Sequence, residues 1–317
     1  STLAMSDPVL FPRVTILGFG LMGLSLGRAL RQHRLCTSLT ACDRDPNVLQ
    51  RAEALDLAHR YEADAARAVA DADLVVLATP VGTYDAVAQA IAPHLADGAV
   101  VTDLGSVKEA AIRAIAPHLP DHVAFVPAHP VAGTEKSGPE HGFAALFMGR
   151  YTVLTPTESS PPGAVQRVGA LWEACGSLVE HMEPAHHDRA MAIVSHLPHL
   201  IAYTIVATAT DLEEDRQEEV VRFSAGGFRD FTRIAASDPI MWRDIFLANR
   251  EAVLEMLQRF NEDLTALQRA IRWGEGDTLE RVFRRTRTLR RSVVEAKQAG
   301  TFRPTEDGPV SDGEHDR

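Results

Sequence analysis

Through its N-terminal half the chain alternates short apolar runs with stretches of helical length, and this alternation restricts the fold more than any other feature. Residues 14–18, 39–42, 74–78, 100–103 and 123–126 each read as a buried strand. The intervening segments, such as 24–32 and 84–91, are long enough for crossover helices. Strand, helix and strand at this spacing build a parallel sheet wound on both faces. Two further strands are expected at 151–154 and 178–181, with a helix near 164–175 between them, so the sheet domain should span 13–182 behind an extension of residues 1–12. After Pro184 the pattern changes to a period near 3.6, as in Ile245, Val253, Met256, Phe260 and Leu264, which predicts a second, all-helical domain over 183–300. Ser237-Asp238-Pro239 reads as a helix start with proline in the first turn. Residues 301–317 are polar and acidic and are expected to be disordered.

Composition excludes several classes of function. The formal charge of −11 argues against nucleic-acid binding, which needs a basic face. Cys36, Cys42 and Cys175 have neither metal-ligand spacing nor an even count, which fits a reducing, cytoplasmic compartment. No apolar run is expected to approach the roughly 18 residues of a membrane span, and the first twelve residues lack a signal-like pattern.

Gly18-Phe19-Gly20-Leu21-Met22-Gly23 is a G-x-G-x-x-G motif lying between a strand and a helix. Gly18 permits the tight turn, Gly20 lets the backbone approach a pyrophosphate, and Gly23 allows close packing of helix on sheet. Free N–H groups at the helix start, from Leu21 and Met22, suit phosphates. Asp43, twenty positions beyond Gly23, suits the ribose hydroxyls of NAD and repels a 2′-phosphate, whereas the neighbouring Arg44 could hold one. NAD is the expected cofactor. Thr79-Pro80-Val81, at the next strand end, should line the cofactor cleft.

Two more strand ends carry polar residues: Asp103 to Lys108, including Ser106, and His129 to Gly138, including Glu135. A histidine after a buried strand can take a hydroxyl proton while hydride leaves the same carbon, and Ser106 can bond the same oxygen. By residue type alone, His129 could equally cap a loop and Ser106 a helix. His196 and His199 form a His-x-x-His pair, but Pro198 interrupts it and no third ligand is evident, so no metal is expected. His186-His187 read as plain helix-surface residues.

The stretches 18–23, 103–108, 129–138, 195–199 (SHLPH), 226–235 (GGFRDFTRIA) and 237–244 together resemble the prephenate/arogenate dehydrogenase family, and the likeness extends over about residues 13 to 300. The resemblance implies a Rossmann-type NAD domain, a helical domain through which two copies pair as a homodimer, and a role in tyrosine biosynthesis. It implies oxidative decarboxylation of prephenate to 4-hydroxyphenylpyruvate, with arogenate, or both substrates, as the alternative. No regulatory domain is expected after Gly300, nor a chorismate mutase domain at the front. By this likeness His129 is the base, Ser106 shares the substrate oxygen, and Arg233 binds a substrate carboxylate with its planar fork. Gripping the departing ring carboxylate would stabilise the ground state most, so Arg233 should hold the side-chain carboxylate. Arg229, four residues earlier, would share a helix face with Arg233 and either reach the substrate or pair with Glu135 or Asp230. Glu135 could gate substrate entry, and His196 could touch the substrate as a polar contact. Two readings compete: a β-hydroxyacid-type dehydrogenase, which would use a helix-borne lysine, and a regulator that senses NAD without turnover.

Overall fold

A computed structural model describes residues 9–132, 142–211, 214–295 and, in the tail, 304–305 and 308–309. In chain order the N-terminal elements are β1 (Arg13–Leu17), α1 (Leu21–Gln32), β2 (Ser38–Cys42), α2 (Pro46–Ala54), β3 (Arg60–Glu62), α3 (Ala65–Val69) and β4 (Leu74–Leu77). They are followed by α4 (Tyr84–Ile91), β5 (Val100–Asp103), α5 (Lys108–Ile115), β6 (Ala124–Val126), β7 (Ala128–Pro130), β8 (Tyr151–Leu154), α6 (Pro162–Ala174) and β9 (Leu178–His181). Strands β1 to β6 form one all-parallel sheet in the order β3-β2-β1-β4-β5-β6, the Rossmann arrangement. Because strand side chains alternate between faces, Val14, Ile16, Leu39, Leu74 and Val76 pack on one side with α1 and α6, around Trp172. Leu17, Val75, Leu77, Val101 and Phe125 pack on the other side, with α3, α4 and α5. Thr15 is the polar exception within β1, and its buried hydroxyl donates to the Ala68 carbonyl at 2.6 Å.

Two departures from the sequence expectation have local causes. Strand β3 carries no apolar run, since its three residues are all half-buried at the sheet edge. Strands β8 and β9 do not extend the main sheet: β7, β8 and β9 form a separate mixed sheet, with β7 antiparallel to β8. Pro127 separates β6 from β7 and has no N–H to continue the ladder; its carbonyl instead accepts from Thr155 N at 3.0 Å. His129 thereby lies in β7, opposite Val153.

The helical elements are α7 (Pro184–Met191), α8 (Leu197–Thr210), α9 (Glu214–Phe223), α10 (Gly226–Thr232), α11 (Pro239–Ala248), α12 (Arg250–Arg272) and α13 (Gly276–Glu295). A π turn over Ala192–His196 joins α7 to α8. The whole segment Pro184–Thr210 is long and apolar enough to cross a membrane by length and composition, which corrects the expectation that no run approaches that size. Asp238 caps α11 as expected, accepting from Ile240 N and Met241 N at 2.9 and 3.0 Å. The chain packs as two compact units, Ser1–Met256 and Leu257–Arg317. The second holds α13, whose described surface is charged and carries an Arg284–Glu280 pair. Most of the tail expected to be disordered lies outside the described residues.

Candidate active site

The glycine motif is shaped by its surroundings. Gly18 leaves β1 with φ +90°, and a Cβ there would lie 2.8 Å from the backbone of Ala78 and Thr79. At Gly23 a Cβ would come within 2.1 Å of the Gly18 carbonyl oxygen, so only glycine lets α1 seat on the turn. Gly20 has no protein atom within 4 Å of a Cβ position. Neither packing nor a positive φ calls for glycine at this position, whereas the close approach of a pyrophosphate does. No side chain caps α1, whose first turn carries no acid, so Leu21 and Met22 begin an electropositive helix end suited to phosphate. The cradle fits a dinucleotide.

Asp43, half-buried just beyond β2, latches this loop: Oδ2 accepts from Phe19 N and Oδ1 from Asp45 N, both at 2.9 Å. Each oxygen keeps a lone pair for a ribose hydroxyl. Phe19 itself turns its ring wholly into the core, so its place in this loop is through its backbone. Arg44 is exposed. Beyond β4, Thr79 and Val81 are half-buried and Pro80 is exposed. The Thr83 hydroxyl ties this corner together, bonding Thr79 Oγ1 at 2.8 Å and the Pro80 carbonyl at 2.6 Å.

Under the ends of β5 and β7 lies a fully buried ion pair. Lys108 Nζ donates to Asp103 Oδ2 and to the Ala128 carbonyl, each at 2.5 Å. Asp103 also accepts from Gly105 N (3.0 Å) and Ala128 N (3.1 Å), so one carboxylate pins three segments of chain. Burial pushes the Lys108 ammonium down and the carboxylate beside it pushes it back up. Ser106 is half-buried and caps nothing: α5 has no cap from its own loop. Its cap comes from α7, where Asp188 accepts from Lys108 N at 2.7 Å and Glu109 N at 3.0 Å.

His129 sits above this pair. Its Nδ1 lies 2.7 Å from Nε2 of His187, whose Nδ1 lies 2.9 Å from Asp188 Oδ1. His129 keeps 7% of its surface exposed, whereas His187 is fully covered. Burial, then His187, Lys108 and His196, hold the His129 imidazole well below its ordinary pKa, so the ring is neutral at physiological pH. Burial also lowers His187, against the pull of Asp188.

Arg229 lies within α10, whereas Arg233 falls just beyond it. Helix α10 stops at Thr232, and Arg233 opens the tighter turn Arg233–Ala236. Arg233 is half-buried and close enough to His199 to lower its pKa, second to burial as a depressing cause; Arg229 is exposed. His199 stacks on Trp242 at 3.6 Å between ring centroids. The expectation of His196 as a substrate contact is corrected. That ring is fully buried, bonded through Nδ1 to Asn249 Nδ2 at 3.1 Å, and set edge-on to Trp242. Glu135 lies outside the described residues. Among the described residues no group of three or more His, Cys, Asp or Glu is arranged to hold a metal ion.

Two family profiles match the chain: "Prephenate dehydrogenase, nucleotide-binding domain" over residues 26–181 and "Prephenate dehydrogenase, dimerization domain" over residues 183–285. The chain belongs to the prephenate dehydrogenase family. Among its relatives, a cyclohexadienyl dehydrogenase of Zymomonas mobilis is 39% identical over 88% of this chain and 95% of its own length. A prephenate dehydrogenase of Bacillus subtilis is 30% identical over 91% of this chain and 78% of its own. The crystal structure of an Aquifex aeolicus prephenate dehydrogenase, in complex with hydroxyphenyl propionate and NAD+, superposes with a TM-score of 0.82 at 34% identity. The match covers 92% of this chain and all of that one.

Within this family member the structure brings together His129, Ser106's loop and the Lys108–Asp103 pair, and it adds His187, Asp188 and Asn249, which sequence reasoning missed. His186 is exposed as expected, but His187 and Asp188 are buried, contrary to the expectation of a surface pair. Their partners lie 58 and 80 positions away, and no local pattern signals such a pairing.

Proposed function

We propose that the protein catalyses the NAD-dependent oxidative decarboxylation of prephenate to 4-hydroxyphenylpyruvate, and that it takes arogenate as a second substrate. The observation that carries this reading is His129: a neutral imidazole on the short strand β7, its Nδ1 committed to His187 and Nε2 left to act as an acceptor. NAD, when bound, supplies the hydride acceptor. His129 Nε2 accepts the ring hydroxyl proton as that carbon becomes carbonyl-like, and returns it to the same oxygen once carbon dioxide has left and the ring is aromatic. Aromatisation provides the driving force. Ser106, whose hydroxyl makes no hydrogen bond among the described residues, is the second group for the substrate oxygen. Arg233 is the cation for the side-chain carboxylate, with the His199–Trp242 stack beside it. The cyclohexadienyl dehydrogenase relative supports the dual-substrate reading.

Initial rates with prephenate or arogenate, each with NAD or NADP, test the assignment. His129→Ala should mainly lower kcat and Arg233→Ala should mainly raise KM; the reverse pattern overturns both roles. Silence with every substrate, with NAD binding intact, would replace the enzyme by an NAD sensor.

The protein is read as a cytoplasmic homodimer, binding neither nucleic acid nor membrane. Supporting the dimer, its helices expose Ile193, Val194, Ile205, Val221, Phe223 and Phe231, apolar side chains of the kind a second copy would cover. Pro184–Thr210 buries His187, Asp188 and His196 within the protein, a polar content that counts against a lipid-facing span. The three cysteines are free, with burial raising the Cys36 thiol to about 11 and Cys42 and Cys175 to about 12. Light scattering at micromolar concentration should give twice the mass of the 317-residue chain; a single-chain mass would refute the dimer.

A further inference from the structure

The hydrogen bonds around His129 have a direction that chemistry dictates. Asp188 is the starting point. A carboxylate can only accept, and this one already accepts two backbone N–H groups at the amino end of α5, where the helix dipole favours negative charge. His187 Nδ1, 2.9 Å from Asp188 Oδ1, must therefore carry a proton. Burial keeps His187 neutral, so its Nε2 carries a lone pair. That lone pair can only accept, which requires a proton on His129 Nδ1 at 2.7 Å. His129 is neutral in turn, and one atom is left with a free lone pair: Nε2.

We infer that His187 and Asp188 are positioning residues that hold His129 in the tautomer whose Nε2 can accept the substrate hydroxyl proton. The inference rests on the reading of His129 as the base. Unsupported, a neutral imidazole exchanges tautomers, and the form protonated on Nε2 accepts no proton there. The chain also serves the step that follows. Once Nε2 takes a proton, the His129 ring is cationic; its Nδ1–H already points to a neutral acceptor, and the Asp188 charge lies one ring beyond. Asn249 fixes the far side, donating to the Asp188 carbonyl at 2.9 Å and so holding the backbone that carries the carboxylate. The arrangement joins β7, α5 and α7 through side chains that are almost wholly buried.

The test uses the full-length protein with imidazole 15N spectra at neutral pH, alongside steady-state kinetics. In the native protein His129 should be protonated on Nδ1 and unprotonated on Nε2. His187→Leu removes the acceptor; kcat should fall roughly 10- to 100-fold, a share of what a positioned proton acceptor contributes, with substrate KM and NAD affinity within about twofold of native. His187→Gln places a carbonyl oxygen near the former Nε2 and should restore most of kcat together with the native tautomer. A native His129 protonated on Nε2, or a His187→Leu protein with native kcat, overturns the inference. If the native protein oxidises neither prephenate nor arogenate, the assignment of function fails instead, and the tautomer measurement separates that outcome from failure of the positioning chain.

Discussion

Replacing Lys108 by methionine tests whether the buried pair beneath the site is a scaffold or a dispensable ion pair. Both side chains are fully covered, and Asp103 is bonded to Gly105 N and Ala128 N as well as to the ammonium. Removing one partner of a buried pair costs about 3–5 kcal/mol. The lower end applies here, because the carboxylate keeps two N–H donors; the Ala128 carbonyl loses the donor it has in Lys108. For a chain of this length a urea slope near ~3 kcal/mol/M is reasonable, so a loss of about 3 kcal/mol should lower the unfolding midpoint by roughly 1 M. Tryptophan fluorescence in a Trp273→Phe background reads the first compact unit, leaving Trp172 and Trp242 as reporters. The decisive comparison is Asp103→Val/Lys108→Met. Many buried pairs are replaced by apolar residues without loss, but here the swap orphans two backbone N–H groups at about 1–3 kcal/mol each. The double variant should therefore be no more stable than Lys108→Met. Recovery of native stability would refute the scaffold argument. Lys108→Met has a second readout: the ammonium helps depress His129, so its loss should move the acid limb of kcat/KM to higher pH.

The glycine motif and the buried histidines give two further expectations. Gly23→Ala meets the Gly18 carbonyl and should lower both melting temperature and NAD affinity, by roughly 1–3 kcal/mol of strain; Gly20→Ala has open space and should weaken NAD binding alone, so equal loss of stability in both would contradict the loop geometry. Burial pushes the His196 imidazole down to about 4, from its ordinary 6.5. The unfolded chain binds this proton first as pH falls, so its contribution is complete above pH 6.5 and is lost towards pH 4, up to about 3 kcal/mol. His196→Leu should flatten the dependence of the urea midpoint on pH across that window, and an unchanged slope would show that other groups dominate acid unfolding.

Legibility in the sequence followed physical cause. Strands β1, β2, β4, β5 and β6 were readable because strands buried on both faces need continuous apolar runs. Strand β3, half-buried along its whole length, has no such need, and β7 follows Pro127 and ends at Pro130, which read as breaks. The cofactor cradle was readable because three glycines, a strand before and a helix after occupy one short stretch. Phe19 lies in that stretch, yet its ring belongs to the core, since a loop alternates what it offers to ligand and to sheet. Arg229 and Arg233 were read within one helix, but α10 ends at Thr232 and Arg233 opens a tighter turn.

By itself, then, the sequence determined the parallel sheet, the helical second half, the dinucleotide loop and the residue types of the candidate site, because each is set by local spacing of apolar residues, glycines and strand ends. Tertiary structure alone decided the hydrogen-bond surroundings of His129. The Asp188–His187–His129 chain, the Lys108–Asp103 strut and the burial of His196 join residues far apart in sequence, and burial and hydrogen-bond direction arise only once β5, β7, α5 and α7 have packed together.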